Sequence, residues 1–351
     1  MILLNSKARS RTRTLFFVAA VVAAVAVTAG CAGSSEPEAA PAAAASAGTP
    51  TSFTAPRTVP AGMGSDAADG VFPRTVGHFA GSTSVPAQPA RVVVISTGQL
   101  DGLLTLGIVP VAATRGDDAA LVPAYLTTAF PRYAGQLAQM SDVGGRGEPN
   151  LEAVAQAKPD LILMNSSVLK DDVYKAASAI APTVVTEGTG VNWKQDFLLI
   201  AAAAGRSEQA RGILDTFHAD AAGLGRSLDK PATVSFLRVN GDRTRIFGVA
   251  SFTGSIAEDA GLARPKSQQF DKTSQDISNE QLDLADADWL FYGVQGGGGK
   301  AGALTGAPIW PTLEAVVAKR AVAVDDDPWY LNAGPTAARV VLDQLRTSLK
   351  G

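Results

Sequence analysis

Two segments of the chain have the Ser-x-x-Lys spacing that serine acyl-transfer enzymes use for their nucleophile and base. Both segments, 167–170 and 227–230, lack the Ser-Asp-Asn and Lys-Thr-Gly motifs that accompany this pattern in such enzymes. The glycine-rich segment 293–300 does not have phosphate-binding spacing, because Val294 stands where that motif needs glycine and Ala301 where it needs serine or threonine. These patterns therefore do not predict an enzyme.

Few side chains could ligate a metal ion or form a catalytic triad. The chain has one cysteine and two histidines, His78 and His218, which are far apart in sequence. They cannot supply the three or four nitrogen and sulfur ligands of a zinc site, and neither lies near a candidate nucleophile for a Ser-His-Asp site. The acidic run 325–327 lacks the spaced oxygen ligands of a calcium loop. We expect no resident metal and no cofactor.

The charge balance argues against nucleic acid as a partner. The chain has 351 residues, with 30 Lys and Arg against 33 Asp and Glu and a net charge of −3. Binding to a phosphate backbone needs a positive excess that this composition does not provide. The length and the hydrophobic content of 46% are typical of about two compact globular domains.

The N-terminal residues have the pattern of an export signal. A basic stretch over 7–13 precedes an apolar run over 15–27, which is shorter than the ~20 residues of a membrane-spanning helix. The run ends in Val-Thr-Ala-Gly-Cys at Cys31, which resembles a bacterial lipobox, although Thr28 departs from the usual Leu. We expect 1–30 to be a signal peptide and Cys31 to be the lipidation site. A cysteine that stands by chance in a cleavage region is the alternative.

The segment after the lipobox is rich in Ala, Pro, Ser, Gly and Thr and has no apolar period. This composition predicts a disordered tether, to which we assign residues 31–72. The protein is then expected to be exported and held by its lipid, palmitate included, on the outer face of the cytoplasmic membrane.

From about residue 72, short β-branched runs alternate with Ala- and Leu-rich helical segments, which is typical of mainly parallel sheets with covered faces. Strands are predicted at 91–96, 108–113, 160–165, 183–186, 233–239, 244–249, 288–293 and 321–325. Helices are predicted at 99–106, 151–157, 169–180, 255–260, 281–285, 311–319 and 337–349.

A long segment between the two groups of strands has neither a strand signal nor a proline. Its apolar residues recur at helical spacing: Ala210, Ile213, Leu214, Phe217, Ala221, Leu224 and Leu228. We predict a linking helix over 205–230, between an N-terminal α/β lobe at 73–204 and a C-terminal α/β lobe at 231–351.

The two predicted lobes share one short pattern. Their sequences can be laid over each other with Glu152 on Glu280, and Asp160 then coincides with Asp288 at the start of a predicted strand. Each lobe thus contains a short helix with an acidic first turn that leads through an aspartate into a buried strand.

Three segments carry a resemblance to a known family. Segment 143–163, with Val-Gly-Gly-Arg-Gly-Glu-Pro-Asn-Leu-Glu and Lys-Pro-Asp-Leu-Ile-Leu, resembles the N-lobe signature of the substrate-binding proteins of iron–siderophore and cobalamin ABC transporters. Segment 91–111 resembles the opening of that lobe, and Asp-Pro-Trp-Tyr-Leu at 327–331 resembles the last cleft loop. The resemblance covers about 76–349. It implies a class III periplasmic-binding-protein-like fold, in which one long helix joins two α/β lobes with mainly parallel sheets and the ligand lies between them.

The resemblance also implies ligand-binding residues. Arg146 stands where the family has an arginine that reaches the siderophore, and Arg243 matches a second ligand arginine of catecholate binders by its spacing to Phe247. Trp329 and Tyr330 match an aromatic pair in the cleft. Arginine forks suit the oxygens of a ferric chelate, and aromatic faces suit its rings. Each residue also has an alternative without a ligand. Arg146 could be a solvated loop arginine, Arg243 an exposed charge in a hairpin turn, and the Trp329–Tyr330 pair part of the core.

Three further residues end predicted strands or follow them directly and are additional candidates: Arg238, Tyr292 and Arg115. In some catecholate binders the tyrosine of the last cleft loop coordinates iron. Here no histidine stands where those proteins supply a second ligand, so we expect no direct iron ligation by Tyr330.

Glu152 and Glu280 occupy the positions at which the family has one surface glutamate on each lobe that pairs with arginines of the membrane permease. The alternative is that each glutamate only stabilises its own helix, because a carboxylate in the first turn offsets the helix dipole without any partner. Ser278 and Gln281 already resemble a capping box.

The resemblance implies a monomeric, non-enzymatic, lipid-anchored receptor that captures a ferric siderophore and presents it to an ABC importer. A receptor for haem or cobalamin is the alternative with the same fold. An envelope structural or interaction protein that keeps the fold without a transport role is the alternative from another class.

Overall fold

The computed structural model describes residues 53–116, 119–166, 170–188, 190–230, 232–297 and 301–350. The predicted signal peptide, the predicted lipidation site Cys31 and the first part of the predicted tether lie outside these residues. Within the described ranges, no helix combines the length and the apolar character needed to cross a bilayer.

The first lobe is built on a six-stranded sheet that follows a short hairpin. The hairpin consists of β1 (Arg74–His78) and β2 (Gly81–Val85). The strands of the sheet are β3 (Val92–Ile95), β4 (Ala112–Arg115), β5 (Ser141–Gly145), β6 (Glu148–Pro149), β7 (Leu161–Asn165) and β8 (Thr183–Thr186). Their spatial order is β6-β5-β4-β3-β7-β8, and every pair is parallel except β5 with β6.

Helices cover this sheet and lead to the second lobe. They are α1 (Gln99–Thr105), α2 (Ala124–Ala129), α3 (Ala134–Leu137), α4 (Leu151–Gln156), α5 (Asp171–Ile180), α6 (Trp193–Ala204) and α7 (Ser207–Arg226). Strand β3 is buried along its whole length because both of its faces are covered, as expected for a central parallel strand. Val92 and Val94 belong to the core cluster that includes α1 and α6, whereas Val93 and Ile95 belong to the one that includes α4 and α5.

The second lobe has a five-stranded sheet in the order β11-β10-β9-β12-β13. Its strands are β9 (Val234–Asn240), β10 (Arg243–Phe247), β11 (Ser274–Ile277), β12 (Trp289–Val294) and β13 (Ala321–Val324). Its helices are α8 (Phe252–Asp259), a 3₁₀ segment (Asn279–Ala285), α9 (Gly302–Thr305), α10 (Glu314–Val317) and α11 (Pro335–Lys350). Strands β9, β12 and β13 are parallel, whereas β10 and β11 are antiparallel to their neighbours.

The repeated pattern of the sequence has the same structural role in both lobes. The carboxylate of Asp160, just before β7, accepts hydrogen bonds from the backbone N–H groups of Ala90 (2.8 Å) and Arg91 (2.9 Å), just before β3. Asp288, just before β12, accepts one from Thr233 (2.8 Å), just before β9. In each sheet the aspartate thus fixes the starts of two neighbouring parallel strands to each other.

The linking helix expected over 205–230 is α7. Gly205 ends α6 in the left-handed conformation (φ 68°), which favours glycine. The carboxylate of Asp69 accepts hydrogen bonds from the N–H groups of Ser207 (2.6 Å) and Glu208 (2.9 Å), so it satisfies two free donors at the start of α7.

The last helix contacts both lobes. Asp101 of α1 is only 1% exposed, and its carboxylate accepts hydrogen bonds from the N–H groups of Thr336 and Ala337 (2.8 Å each) at the start of α11. Helix α11 also packs against α8 of the second lobe. The predicted C-terminal lobe, 231–351, therefore ends in a helix that is shared between the lobes.

Residues 53–72 differ from the prediction of a disordered tether. The N–H of Ala55 donates to Glu258 (2.9 Å), and the guanidinium of Arg57 pairs with Asp259 (2.8 Å), both at the end of α8. The sequence hides this packing because the apolar residues of the segment have no helical or strand period, and their partners, like those of the hydrogen bonds, are distant in sequence. The folded part thus begins well before residue 73.

Several strand predictions also change. The strand expected at 108–113 is β4 at Ala112–Arg115, because Pro110 lacks the N–H that a central strand needs. The sequence pattern predicts none of the strands β1, β2, β5, β6 and β11. They are short and mostly polar, and they lie in a hairpin or at or next to a sheet edge, so they lack the apolar pattern of the buried strands.

Candidate functional site: the interlobe cleft

A cleft lies between the lobes where the parallel strands of both sheets end. Its larger cavity has a volume of about 520 Å³. The first lobe contributes Ala119 and Ala120 to the lining. The second lobe contributes the ends of β12 and β13 and the loops that follow them: Tyr292, Val294, Gln295, Gly296, Gly297, Ala323, Val324, Asp325, Asp326 and Asp327. The carboxyl ends of parallel strands are the usual place for ligands in α/β folds.

A smaller cavity of about 170 Å³ adjoins the larger one at Leu331, which lines both. The first lobe supplies Thr97, Arg146, Gly188 and Asp196 to this lining, and the second lobe supplies Phe247, Phe252, Trp329 and Tyr330. This cavity therefore brings together three of the predicted ligand residues, Arg146 from the first lobe and Trp329 and Tyr330 from the second.

Arg146 lies between β5 and β6 and is partly buried. Its backbone N–H donates to the carbonyl of Arg115 (3.0 Å), which holds the β5–β6 loop against the end of β4. The exposed side chain of Arg115 pairs with Asp142 (3.1 Å) and lines neither cavity. Of these two arginines, Arg146 is the one on the cavity wall.

Trp329 borders the smaller cavity, but its ring lies in the core. Its side chain is fully buried, stacked on Phe291 (5.2 Å between ring centroids) and edge-on to Phe236 (5.9 Å). The indole Nε1 donates to Gln344 of α11 (3.0 Å). Trp329 thus borders the smaller cavity while its ring supports the cleft loop from the core, because the turn over Asp327–Leu331 directs the ring toward the sheet.

Tyr330 lines the smaller cavity with its ring but not with a free hydroxyl. The hydroxyl donates to the carbonyl of Phe291 (3.0 Å), and the ring lies 4.8 Å from that of Phe247. A Cβ at Gly293 would approach the tyrosine ring to 2.7 Å, so glycine is what permits this packing. Burial and the nearby charge of Asp326 raise the pKa of Tyr330. The phenol is therefore protonated and engaged with the backbone of β12 in this structure.

Arg238 is already engaged by the cleft loop. Its Nε and Nη2 atoms donate to the two oxygens of Asp326 (2.7 and 2.6 Å), and both side chains are about a tenth exposed or less. This fork fixes the acidic loop after β13 to β9. Arg238 therefore positions the cavity wall, and the lining residue next to it is Asp326.

Arg243 lies outside both cavities. It is exposed in β10 and forms a two-pronged contact with Asp276 of β11 (3.0 Å for each bond). Tyr292 lines the larger cavity, and its ring meets Trp310 edge-on (5.1 Å).

The sequence did not single out Arg245. It lies opposite Arg238 in the β9–β10 ladder, and two residues from Arg243 on the same strand, so the three arginines share one face of the sheet. Within the described ranges, the buried Nε of Arg245 has no hydrogen-bond partner. Burial and the two neighbouring arginines lower its pKa. The spacing of Arg243 and Arg245 could have indicated from the sequence that both lie on one face of a strand. Their proximity to Arg238 follows only from the register between β9 and β10.

Glu152 and Glu280 are both exposed in the first turn of their helices, α4 and the 3₁₀ segment. Ser278 and Gln281 form the expected capping box, in which the N–H of Ser278 donates to Gln281 (3.1 Å). Among the ion pairs of the described residues, none involves either glutamate. Each carboxylate accepts one long hydrogen bond, Glu152 from Gln156 (3.4 Å) and Glu280 from Ser278 (3.5 Å), and both side chains remain exposed.

Comparison with known proteins agrees with this architecture. The profile of the family described as periplasmic binding protein matches residues 92–328. The chain is 33% identical over 290 residues to the "Probable siderophore-binding lipoprotein YfiY" of Bacillus subtilis (strain 168), covering 78% of this chain and 87% of the relative. It is 24% identical over 279 residues to the "Fe(3+) dicitrate-binding periplasmic protein FecB" of Escherichia coli (strain K12), covering 78% and 90%.

Solved structures show the same two-lobed fold. Staphylococcus aureus SirA complexed with staphyloferrin B superposes with a TM-score of 0.67 at 26% identity, covering 79% of this chain and 98% of that one. The triscatecholate siderophore binding protein FeuA from Bacillus subtilis, complexed with ferri-bacillibactin, gives 0.65 at 19% identity and supports the fold alone. The resemblance found in the sequence and the expected fold class are confirmed. The chain belongs to the periplasmic binding protein family.

Proposed function

We propose that this protein captures a ferric siderophore in the cleft between its lobes and delivers it to an ABC importer. The observation that carries the proposal is the cavity wall with Arg146 between two lobes, in a chain 33% identical to a relative whose name includes siderophore binding. A guanidinium fork on the wall suits the chelating oxygens of such a ligand. The larger cavity, of about 520 Å³, has the size of a small-molecule site.

The remaining parts of the proposal concern the location and partners of the receptor. We propose that Cys31 carries the lipid that anchors the exported protein, an assignment supported by the lipoprotein relative. The receptor works as a monomer without catalysis and needs no cofactor. Glu152 and Glu280, both exposed, are proposed to dock on the permease.

Isothermal titration calorimetry tests ligand capture directly. The panel contains ferric dicitrate, ferric staphyloferrin B, ferri-bacillibactin, haemin and cobalamin, with the iron-free chelators as matched controls. We expect at least one ferric chelate to bind far more tightly than its iron-free form. Binding of haemin or cobalamin alone would overturn the choice of ligand, and binding of a ferric chelate without an uptake defect in a deletion strain would overturn the transport role.

A further inference from the structure

The smaller cavity of the cleft has a carboxylate in its wall. Asp196 lies in the first turn of α6, and it is the acidic side chain among the described residues that line this cavity. It faces the same space as Arg146 and Tyr330. The charge of a ligand in this cavity will therefore shift the pKa of the Asp196 carboxyl group.

Asp196 also holds part of the cavity wall in place. Its two oxygens accept hydrogen bonds from the backbone N–H groups of Glu187 and Gly188 (2.9 Å each). Gly188 is in the left-handed conformation (φ 77°), and a Cβ there would overlap the side chain of Asn165. The turn after β8 is therefore fixed from one side by Asp196 and from the other by Asn165.

The surroundings of Asp196 favour its neutral form. Burial raises the pKa of Asp196 to about 7 and the nearby charge of Glu187 adds to the rise, whereas the two backbone N–H groups oppose it. Across the cavity, the β5–β6 loop contributes Arg146 and the last cleft loop contributes Tyr330, while the lining residues from α8 are uncharged. Lys194, two residues earlier in α6, is paired with Asp259.

We propose that Asp196 is a positioning residue of the ligand cavity that takes up a proton when an anionic ferric chelate binds. Its carboxylate holds the turn at Glu187 and Gly188, and the negative charge of a bound chelate favours the neutral carboxylic acid. The proton comes from solvent and adds to a carboxylate oxygen, and no other bond changes. The proton uptake on ligand binding rests on the proposed function, whereas the role of Asp196 in the turn does not.

The sign of the pH dependence follows from linkage. If the pKa of Asp196 is higher in the complex than in the free protein, the complex binds more protons near pH 7. Affinity must then fall as pH rises through about 7, by no more than about tenfold per pH unit for one proton. A variant without an ionisable group at position 196 should therefore lack this contribution to the pH dependence of ligand affinity.

The test of the turn needs no ligand. In NMR titrations of the full chain, the amide signals of Glu187 and Gly188 should shift with a midpoint near pH 7, and Asp196→Asn should abolish that transition. Asp160→Asn is the matched control, because Asp160 also accepts two backbone N–H groups but lines neither cavity. It should leave the transition unchanged. A midpoint near pH 4, or a transition that survives in Asp196→Asn, would overturn the proposal.

The test of proton uptake uses whichever of ferric dicitrate, ferric staphyloferrin B and ferri-bacillibactin binds. Calorimetry at pH 7 in two buffers of different ionisation enthalpy should show net proton uptake by the parent and by Asp160→Asn, and a smaller uptake by Asp196→Asn. Equal uptake in the parent and in Asp196→Asn would refute the proton coupling. Failure of the parent to bind any chelate would instead contradict the proposed function, and the NMR titration would still decide the role of Asp196 in the turn.

Discussion

At the scale of single residues, the arginines around the cleft differ in their position relative to the cavities. Arg238 is locked on Asp326, and the exposed Arg243 is paired with Asp276 outside the cavities. Arg146 is on the wall of the smaller cavity. A ligand in the smaller cavity would therefore lie beside Arg146 rather than beside Arg238 or Arg243.

Arg146→Ala should weaken binding of a ferric siderophore by about 1–3 kcal/mol, roughly 5- to 150-fold, because a charge-assisted hydrogen bond is lost. Arg243→Ala should have a smaller effect, since its partner is Asp276 and its ion pair is exposed. Calorimetry on both variants measures the difference. An equal or larger loss in Arg243→Ala would show that Arg243 contacts the ligand instead.

The burial of Trp329 predicts a loss of stability. Trp329→Ala should lower the free energy of unfolding by about 3–5 kcal/mol, because a large cavity forms beside Phe236 and Phe291. Trp329→Phe should cost less, since it keeps a ring in place and loses mainly the bond to Gln344. Urea denaturation measures both. Unchanged stability in Trp329→Ala together with weaker ligand binding would restore the ligand-facing role expected from the sequence.

At the scale of elements, four parts of the chain meet at Asp259 of α8. Lys194 of α6 lies 2.5 Å from one carboxylate oxygen, and Arg57 of the N-terminal segment lies 2.8 Å from the other. His218 of α7 is 3.9 Å away, and burial lowers its pKa, which favours the neutral ring. Lys194 and Asp259 are both essentially fully buried, so this pair ties a helix of the first lobe to a helix of the second.

Removing one partner of this pair should be far more damaging than removing both. Asp259→Leu should cost about 3–5 kcal/mol of stability, because it leaves the charge of Lys194 buried without compensation. Combining it with Lys194→Met should recover most of that loss, since two apolar side chains can replace a buried ion pair. Asp343→Ala removes the exposed pair with Arg346 and should cost under about 1 kcal/mol as a control. Additive losses in urea denaturation would contradict this account.

At the scale of the whole molecule, the lobes are joined at more than one place. Helix α7 connects them along the chain, and Asp101 of the first lobe caps α11, which follows directly after the cleft loop. The loop that lines both cavities is thus attached to both lobes through short connections. These short connections favour a small relative motion of the two lobes.

The docking proposal also belongs to this scale. Glu152→Lys combined with Glu280→Lys should abolish siderophore uptake by cells and leave ligand affinity unchanged, because like charges would face the permease arginines that the resemblance implies. Each single variant should give a partial defect. The control is Glu208→Lys, which changes an exposed first-turn glutamate of α7 at a similar small cost in helix stability. Normal uptake by cells that carry only the double variant would refute docking and favour the envelope-protein alternative.

The sequence by itself determined the framework of this protein. Strand β8 lies at the predicted residues 183–186, and the prediction for β7 is correct to within one residue at its start. These elements follow from the spacing of apolar residues, which is a local property of the chain. The family resemblance and the two-lobed fold were predictable for the same reason, and the motif around Arg146 identified a residue on the cavity wall.

Only the tertiary structure decided which side chains face the ligand space. Trp329 is buried because Phe236 and Phe291 come from distant strands to cover it, and Arg238 is engaged because the loop after β13 brings Asp326 to it. Asp196 carries no local signal, since its role depends on the turn after β8. The free energy of these contacts comes from partners distant in sequence, so periodicity and spacing could locate the elements but not the faces that they present.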